Sequence, residues 1–258
     1  MKVSALVTGG AGGIGRAVAQ RFLSQGTGVA LVDVAMRELE EATHALASPL
    51  GAKVKPYQVD VREGQQVCGC VERVFSEFEN LTFLVNCAGI STSSMIVDVA
   101  ESEWDRVFAI NTRGVFLFSR EVARGMIKRK TTGGRIVNIS SQASKIGELG
   151  NGVYSASKAA VNSLTQVMGL ELAQHGIAVT AICPGYVDTE MMRKVFRERG
   201  PIEGMTPQQY EQRLLSNVPS GRMVKPDEIA ALVSYLCSPE AELLTGVTVT
   251  IAGGKTLI

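Results

Sequence analysis

Short apolar runs recur along the chain, separated by longer amphipathic segments, and this alternation restricts the fold more than any other feature. The runs are Val3–Val7, Val29–Val32, Val54–Val59, Phe83–Asn86, Arg135–Ile139, Ala178–Cys183 and Val247–Ile251. Between the first six lie helical patterns over residues 14–25, 36–47, 64–79, 102–128 and 153–174, and further helices precede the seventh. Strands with no wet face, joined by helical crossovers, form a parallel sheet covered on both sides. The expectation is therefore an α/β fold with a doubly wound, seven-stranded parallel sheet and helices on both faces.

A chain of 258 residues with 45% hydrophobic content can bury one large core, so one domain over residues 1–258 is expected. No repeat, low-complexity tract or Pro/Gly linker divides it. The rhythm breaks only between Asp188 and Pro226, a polar stretch carrying Pro201, Pro207 and Pro219 and two short helical patterns at Glu190–Arg199 and Pro207–Ser216. An excursion of that length fits a substrate lid, about 188–226, over the edge of the sheet.

Lys and Arg total 26 against 25 Asp and Glu, a net charge of +1 that gives no field to attract nucleic acid or an anionic membrane. Val3–Val7 is too short for a signal-peptide core, and no run approaches the ~20 apolar residues that span a bilayer. A cytoplasmic protein is expected. The five cysteines are odd in number and lie mostly in apolar segments, which fits reduced thiols better than disulfides. Cys68-Gly-Cys70 stands on a predicted helix in a chain with two histidines, so no metal site is expected.

Directly after the first run comes Thr8-Gly9-Gly10-Ala11-Gly12-Gly13-Ile14-Gly15, followed by a helix beginning Arg16-Ala17-Val18. A strand, glycine loop and helix N-terminus in this order let a pyrophosphate approach bare backbone and oriented N–H groups, as in Rossmann-type dinucleotide sites. Two registers fit: Gly10, Gly12 and Gly15, or Gly9, Gly13 and Gly15. Asp33, ending the second run, adds an independent constraint. Its carboxylate can accept hydrogen bonds from both adenosine ribose hydroxyls and repels a 2′-phosphate, which favours NAD; Arg16 and Arg37 nearby are the argument for NADP. Asp60 follows the third run and Asn86-Cys87-Ala88-Gly89 ends the fourth, where ligands of open α/β sheets bind.

Tyr154-Ser155-Ala156-Ser157-Lys158 opens a helical segment, and the i,i+4 spacing sets Tyr154 and Lys158 on one face. For tyrosine to act as a base near neutrality its pKa must fall from ~10 to near 7, at a cost of about 4 kcal/mol. An ammonium about 4 Å away at an effective dielectric of about 20 supplies roughly that amount. Ser141, thirteen residues earlier at the end of the fifth run, is placed to hold a substrate oxygen beside the tyrosine. Alone, a Tyr-x-x-x-Lys pair is commonly a solvated helix face. Together with the glycine loop, Asp33 and Ser141 it reads as a reaction site.

Taken in order, these motifs resemble the classical short-chain dehydrogenase/reductase family, in particular its polyol, acetoin and sugar dehydrogenases. The resemblance rests on Thr8-Gly9-x-x-x-Gly13-Ile14-Gly15, Asp60, Asn86-Cys87-Ala88-Gly89, Asn111, Ser141, Tyr154-x-x-x-Lys158 and Pro184-Gly185-x-Val187-x-Thr189. It selects the Gly9, Gly13, Gly15 register. It also implies that Ile14, Asp33, Asp60, Val61, Asn86, Ala88, Gly89, Pro184 and Gly185 bind the cofactor, that Lys158 bonds the nicotinamide ribose, and that Val187 and Thr189 anchor the carboxamide. Asn111 is implied to hold a proton-relay water through its helix, and Ser141 rather than Ser140 to act with Tyr154. Cys87 stands where the family usually has a second Asn, and Ala252-Gly253-Gly254 lacks the acidic residue or Asn often found before the final glycines. The longer 188–226 excursion is closer to the lids of polyol and sugar dehydrogenases than to those of acyl-carrier-protein reductases.

The expected activity is hydride transfer between NAD(H) and a secondary alcohol or its ketone, of polyol, sugar or hydroxyketone type. Gln142 and Tyr186 are the expected substrate contacts beside Ser141 and Tyr154, with Ser144, Gly147, Glu148 and Ser91 to Met95 as further candidates. The alternatives are a 3-oxoacyl-[acyl-carrier-protein] reductase, for which Lys128-Arg129-Lys130 is the basic run, and an NAD-binding regulator without turnover, which would be expected to lose Tyr154, Lys158 or Ser141. The resemblance further implies a homotetramer formed through helices 102–128 and 153–174.

Overall fold

Each apolar run becomes a strand of one parallel sheet in the computed structural model, which describes residues 3–257. Met1, Lys2 and Ile258, included in the expected domain bounds, lie outside the described residues. The strands are β1 (Ser4–Thr8), β2 (Gly28–Asp33), β3 (Val54–Gln58), β4 (Leu81–Asn86), β5 (Gly134–Ile139), β6 (Ile177–Pro184) and β7 (Val247–Ile251), in the order β3-β2-β1-β4-β5-β6-β7. Between them run α1 (Gly13–Ser24), α2 (Met36–Ala45), α3 (Gly64–Glu77), α4 (Glu101–Phe108), α5 (Gly114–Arg129), α6 (Gly152–Ala173), α7 (Glu190–Ile202), α8 (Pro207–Ser216) and α9 (Pro226–Leu236). No helix among the described residues is long and apolar enough to cross a membrane.

Successive side chains along a strand point to opposite faces, and the two faces build two cores. Val7, Leu31, Val85 and Val137 pack with Val18 and Phe22 of α1 and Ile229 and Val233 of α9. Leu6, Ala30, Leu84 and Ile136 pack with Val67 and Val74 of α3 and Phe118 and Met126 of α5. Cys68 and Cys70 both lie in α3, with Cys70 in the second core. The order of the strands reverses between β1 and β4, which opens a crevice at their carboxyl ends.

The expected helix over 102–128 is divided. Residues Ala109–Arg113 form a wider π-helical turn between α4 and α5. Asn111 in that turn is fully buried, bonded to both the N–H and the carbonyl of Ile90 at 2.8 and 2.9 Å and to Ser157 Oγ at 3.0 Å. The extra residue of a π turn carries the asparagine inward to these partners, and hydrophobic periodicity carries no sign of it. In the 188–226 excursion, α8 keeps its expected bounds because Thr206 and Gln209 form a capping box ahead of Pro207. The preceding helix, α7, runs three residues beyond the expected Arg199 and packs on α8 through the edge contact of Phe196 with Tyr210.

Asn86 does not reach the crevice as expected. Its amide points into the interior, where Nδ2 donates to Ser119 Oγ at 3.0 Å and to Asn138 Oδ1 at 2.9 Å, and Asn138 Nδ2 donates to Thr165 Oγ1 at 2.9 Å. These buried bonds tie β4 and β5 to α5 and α6. Replacing Asn86 by Ala strands two buried acceptors and is expected to lower unfolding free energy by about 1–3 kcal/mol in urea titrations, with NADH affinity changed less than about twofold. A large loss of NADH affinity at unchanged stability would return Asn86 to the cofactor.

Candidate active site

At the end of β1 the chain turns so tightly that two glycines face backbone where any other residue would carry a side chain. Gly9 has φ +67°, and a Cβ on it would fall 2.7 Å from Ala88 N; a Cβ on Gly15 would fall 2.2 Å from Gly9 O. At Gly13 the nearest neighbour is Thr189 Cγ2 at 3.0 Å, whereas Gly10 abuts the side chains of Leu31 and Leu39. The unyielding positions are thus Gly9 and Gly15, which belong together in the Gly9, Gly13, Gly15 register. No side chain caps the start of α1 and no acidic residue stands in its first turn, so its orphan N–H groups and positive dipole end suit an anion.

A cleft of about 730 Å³ extends from this loop, with Gly9, Gly13, Ile14, Gly15, Asp33, Asp60, Val61, Ala88 and Gly89 in its walls. Asp33 accepts from Ala11 N at 3.1 Å through one oxygen and from Ala35 N at 3.2 Å through the other, which holds its carboxylate at the mouth of the loop. Asp60 is clamped by Arg62, whose Nε reaches both carboxylate oxygens at 3.0 Å, and these hydrogen bonds hold its pKa below the usual carboxylate range. Bare backbone, an unpaired helix N-terminus and a ribose-height carboxylate fit a dinucleotide. Arg62 was not anticipated from sequence, where an Arg two residues past an Asp carries no distinctive pattern.

Cys87 lines this cleft and also a second cavity of about 120 Å³ beyond it; burial pushes its thiol up to about 12. Around the second cavity stand Ser141, Gln142, Tyr154, Lys158, Pro184, Gly185, Tyr186, Val187 and Thr189. Ser141 caps the 3₁₀ turn Gln142–Ser144, with its Oγ accepting from Ala143 N at 3.1 Å. Its hydroxyl lies near enough to the phenol of Tyr154, on the same cavity, to favour the ionised phenol. Ser140 Oγ instead donates to the carbonyl of Lys158 at 3.1 Å, so the two serines divide into one facing the tyrosine and one tying β5 to α6. Asn111 stands behind the wall: a Cβ on Gly89 would lie 3.3 Å from both Asn111 Oδ1 and Lys158 Nζ.

Lys158 departs from the expected ammonium beside the phenol. Its Nζ donates to Ile139 O at 2.9 Å and lies 5.9 Å from the Tyr154 ring centre. Burial pulls its pKa down to about 8. Tyr154 is shifted upward, not downward: burial dominates, Glu148 adds to it, and the Ser141 hydrogen bond and the Arg199 charge oppose it. The carbonyl of Ile139 and the desolvation of both groups outweigh the simple two-charge attraction.

Among the remaining loop residues, Ser91 and Glu148 line the cavity, while Ser144 Oγ accepts instead from Asn162 Nδ2 at 2.7 Å. Thr189 caps α7 by accepting from Met192 N at 3.4 Å, and Gly185 presses on Ala252, whose Cα would be 2.9 Å from an added Cβ. Sequence reasoning missed Arg199. It reaches the cavity from α7 with its side chain 6% exposed, yet lies in the charged run Arg197-Glu198-Arg199, where nothing distinguishes it.

Comparison with known proteins identifies the family. The chain is 36% identical over 252 residues to a sorbitol dehydrogenase of Cereibacter sphaeroides, covering 98% of this chain and 96% of that protein. Among solved structures it is similar to a variant actinorhodin polyketide ketoreductase with NADPH, at TM-score 0.94 and 34% identity, covering 100% of this chain and 98% of the other. It is also similar to an NAD⁺-bound xylitol dehydrogenase, at TM-score 0.93 and 32% identity, covering 98% of each chain. The profile of the short chain dehydrogenase family matches residues 3–200. The chain belongs to the short-chain dehydrogenase family and is an oxidoreductase acting on CH–OH groups.

Proposed function

We propose that the protein interconverts a neutral, hydroxylated secondary alcohol of polyol, sugar or hydroxyketone type and its ketone, using NAD(H), with residues 188–226 of a single domain serving as the substrate lid. The observation that carries the reading is that Tyr154 and Ser141 line one cavity that opens beside the dinucleotide cleft. A nicotinamide cofactor bound in the cleft supplies the hydride acceptor for oxidation and the donor for reduction. Tyr154 removes the hydroxyl proton from an alcohol or returns one to a carbonyl oxygen, and Ser141 holds that oxygen by hydrogen bonding. Lys158, close to Tyr154 on α6, binds the cofactor's ribose and carries protons away from the tyrosine, with Asn111 ordering the relay from behind Gly89.

Asp33 supports NAD over NADP. A 2′-phosphate at the ribose would meet a carboxylate already fixed by two backbone N–H groups. The reductase alternative needs a basic docking surface beside the entrance. Lys128 and Arg129 end α5, which leads into the amino end of β5, on the opposite side of the sheet from the crevice, and Arg129 lies over the Phe75 ring at 4.2 Å. They therefore lie away from the cavity entrance. We further propose a cytoplasmic homotetramer packed through α5 and α6, supported by Phe116, Ile127, Val167 and Leu170, which these helices leave exposed.

Tyr154→Phe is expected to lower turnover by more than about a thousandfold while NADH still binds, since general acid–base catalysis contributes roughly 10²–10⁴-fold; activity near wild type would remove the tyrosine from the mechanism. Because the raised pKa keeps Tyr154 protonated at neutral pH, kcat/KM for oxidation should climb as pH rises toward that pKa, while reduction falls over the same range. Profiles of the opposite slope would contradict the assignment. Asp33→Ala should cut the NAD⁺ to NADP⁺ preference at least about tenfold, equivalent to about 1.4 kcal/mol. In sedimentation, Leu170→Glu should convert the wild-type tetramer to smaller species, and a wild-type monomer would overturn the assembly.

A further inference from the structure

Beyond Tyr154 and Ser141, the cavity wall carries one buried ion pair. Arg199 Nη1 lies 3.3 Å from Glu148 Oε2, with side-chain exposures of 6% and 14%. The carboxylate is saturated: Oε1 accepts from Gln142 Nε2 at 3.1 Å and Tyr186 OH at 3.5 Å, and Oε2 accepts from Asn151 Nδ2 at 3.1 Å besides Arg199. Four donors fill about the four lone-pair sites a carboxylate offers. Gln142 is itself fixed from its other end, where Thr256 Oγ1 donates to its Oε1 at 3.0 Å.

The guanidinium is not saturated. Arg199 Nε donates to Ser93 Oγ at 3.3 Å and Nη1 to Glu148, while Nη2 has no hydrogen-bond partner among the described residues and, not being one of the sealed unpaired polar atoms, is left open to water or a ligand where the side chain lines the cavity. A donor so placed calls for an oxygen on the ligand. Since the arginine's charge is already matched by Glu148, a ligand carboxylate would leave two negative charges on one guanidinium in a desolvated pocket. A hydroxyl oxygen carries no such penalty.

We propose that Arg199 and Glu148 set substrate choice together: Arg199 Nη2 donates to a second hydroxyl of a neutral polyhydroxylated substrate, and Glu148, by neutralising Arg199, excludes substrates that carry a carboxylate. The proposal rests on the reading of this cavity as the substrate site and names the group that reads the substrate away from its reacting carbon. Discrimination arises because a bound alcohol that displaces water from this donor without offering a second oxygen leaves it unpaired, which is costly.

The test compares kcat/KM of the wild type, Arg199→Lys, Arg199→Met and Glu148→Gln on sorbitol, 2-butanol and 3-hydroxybutanoate with NAD⁺, with thermal unfolding and NADH fluorescence as checks that each variant is folded. In Arg199→Met the sorbitol to 2-butanol ratio is expected to fall at least tenfold, mostly through KM. Arg199→Lys, which keeps the charge opposite Glu148 but replaces the forked guanidinium by a single nitrogen that cannot reach Glu148 and the substrate in the same geometry, should show the same fall. Glu148→Gln, which frees the charge of Arg199, should raise the 3-hydroxybutanoate to sorbitol ratio at least tenfold. Equal losses on sorbitol and 2-butanol in both arginine variants, or an unchanged ratio in Glu148→Gln, would reduce the pair to a tie between α7 and the core and overturn the proposal alone. A wild type that oxidises none of the three, or only 3-hydroxybutanoate, would overturn the polyol reading and this proposal with it.

Discussion

The backbone of Gly9 passes so close to that of Ala88 that no side chain fits between them, and the site is organised around that approach. It fastens the carboxyl end of β1 to that of β4, the two strands between which the order of the sheet reverses, with Ala88 N donating to Thr8 Oγ1 at 3.2 Å as the stitch. Because Gly15 turns back onto Gly9 O, the first turn of α1 is delivered to the same point with its N–H groups unspent. Sheet packing on two cores makes this rigid. The Gly9–Ala88 approach would mean little on a mobile loop, but both strands are buried along most of their length between α1 and α9 on one side and α3 and α5 on the other.

Beyond the glycine loop, the chain places titratable groups where water screens them poorly. Lys158 is held by a single backbone carbonyl, and Tyr154 by Ser141, so each is sensitive to any charge brought beside it. The Glu148–Arg199 pair is buried on the same cavity, and breaking a buried pair by removing one partner costs about 3–5 kcal/mol. The pair therefore couples α7 to the core while it polarises the pocket. Both of its charges act on Tyr154, in opposite senses, so that this wall of the cavity and the Tyr154 phenol share one electrostatic environment.

The sheet was readable in advance because its central strands, buried on both faces, are largely apolar, and the seven runs map onto the seven strands with bounds shifted by at most two residues. Motif spacing likewise placed Ser141, Tyr154 and Lys158 around one cavity and Asp33 at the cleft. What escaped the sequence depended on where side chains turn in three dimensions. Asn86 ends its strand at the right height but aims inward, and the π turn that buries Asn111 has no signature in periodicity. The downward pull of Lys158 on Tyr154 assumed a contact that Ile139 O takes instead. Arg199 was hidden because a charged residue on an amphipathic helix is normally solvated, and only the packing of α7 over the cavity makes it buried.

The central claim is that this cavity passes a hydride directly between a polyol carbon and a cofactor in the adjoining cleft. It is tested most directly by oxidising a polyol deuterated at its carbinol carbons with NAD⁺ and the wild-type protein, and locating the label by NMR. The account predicts one deuterium at C4 of each NADH formed, on a single face of the ring, and none lost to solvent. Unlabelled NADH, or deuterium released into water, would contradict it.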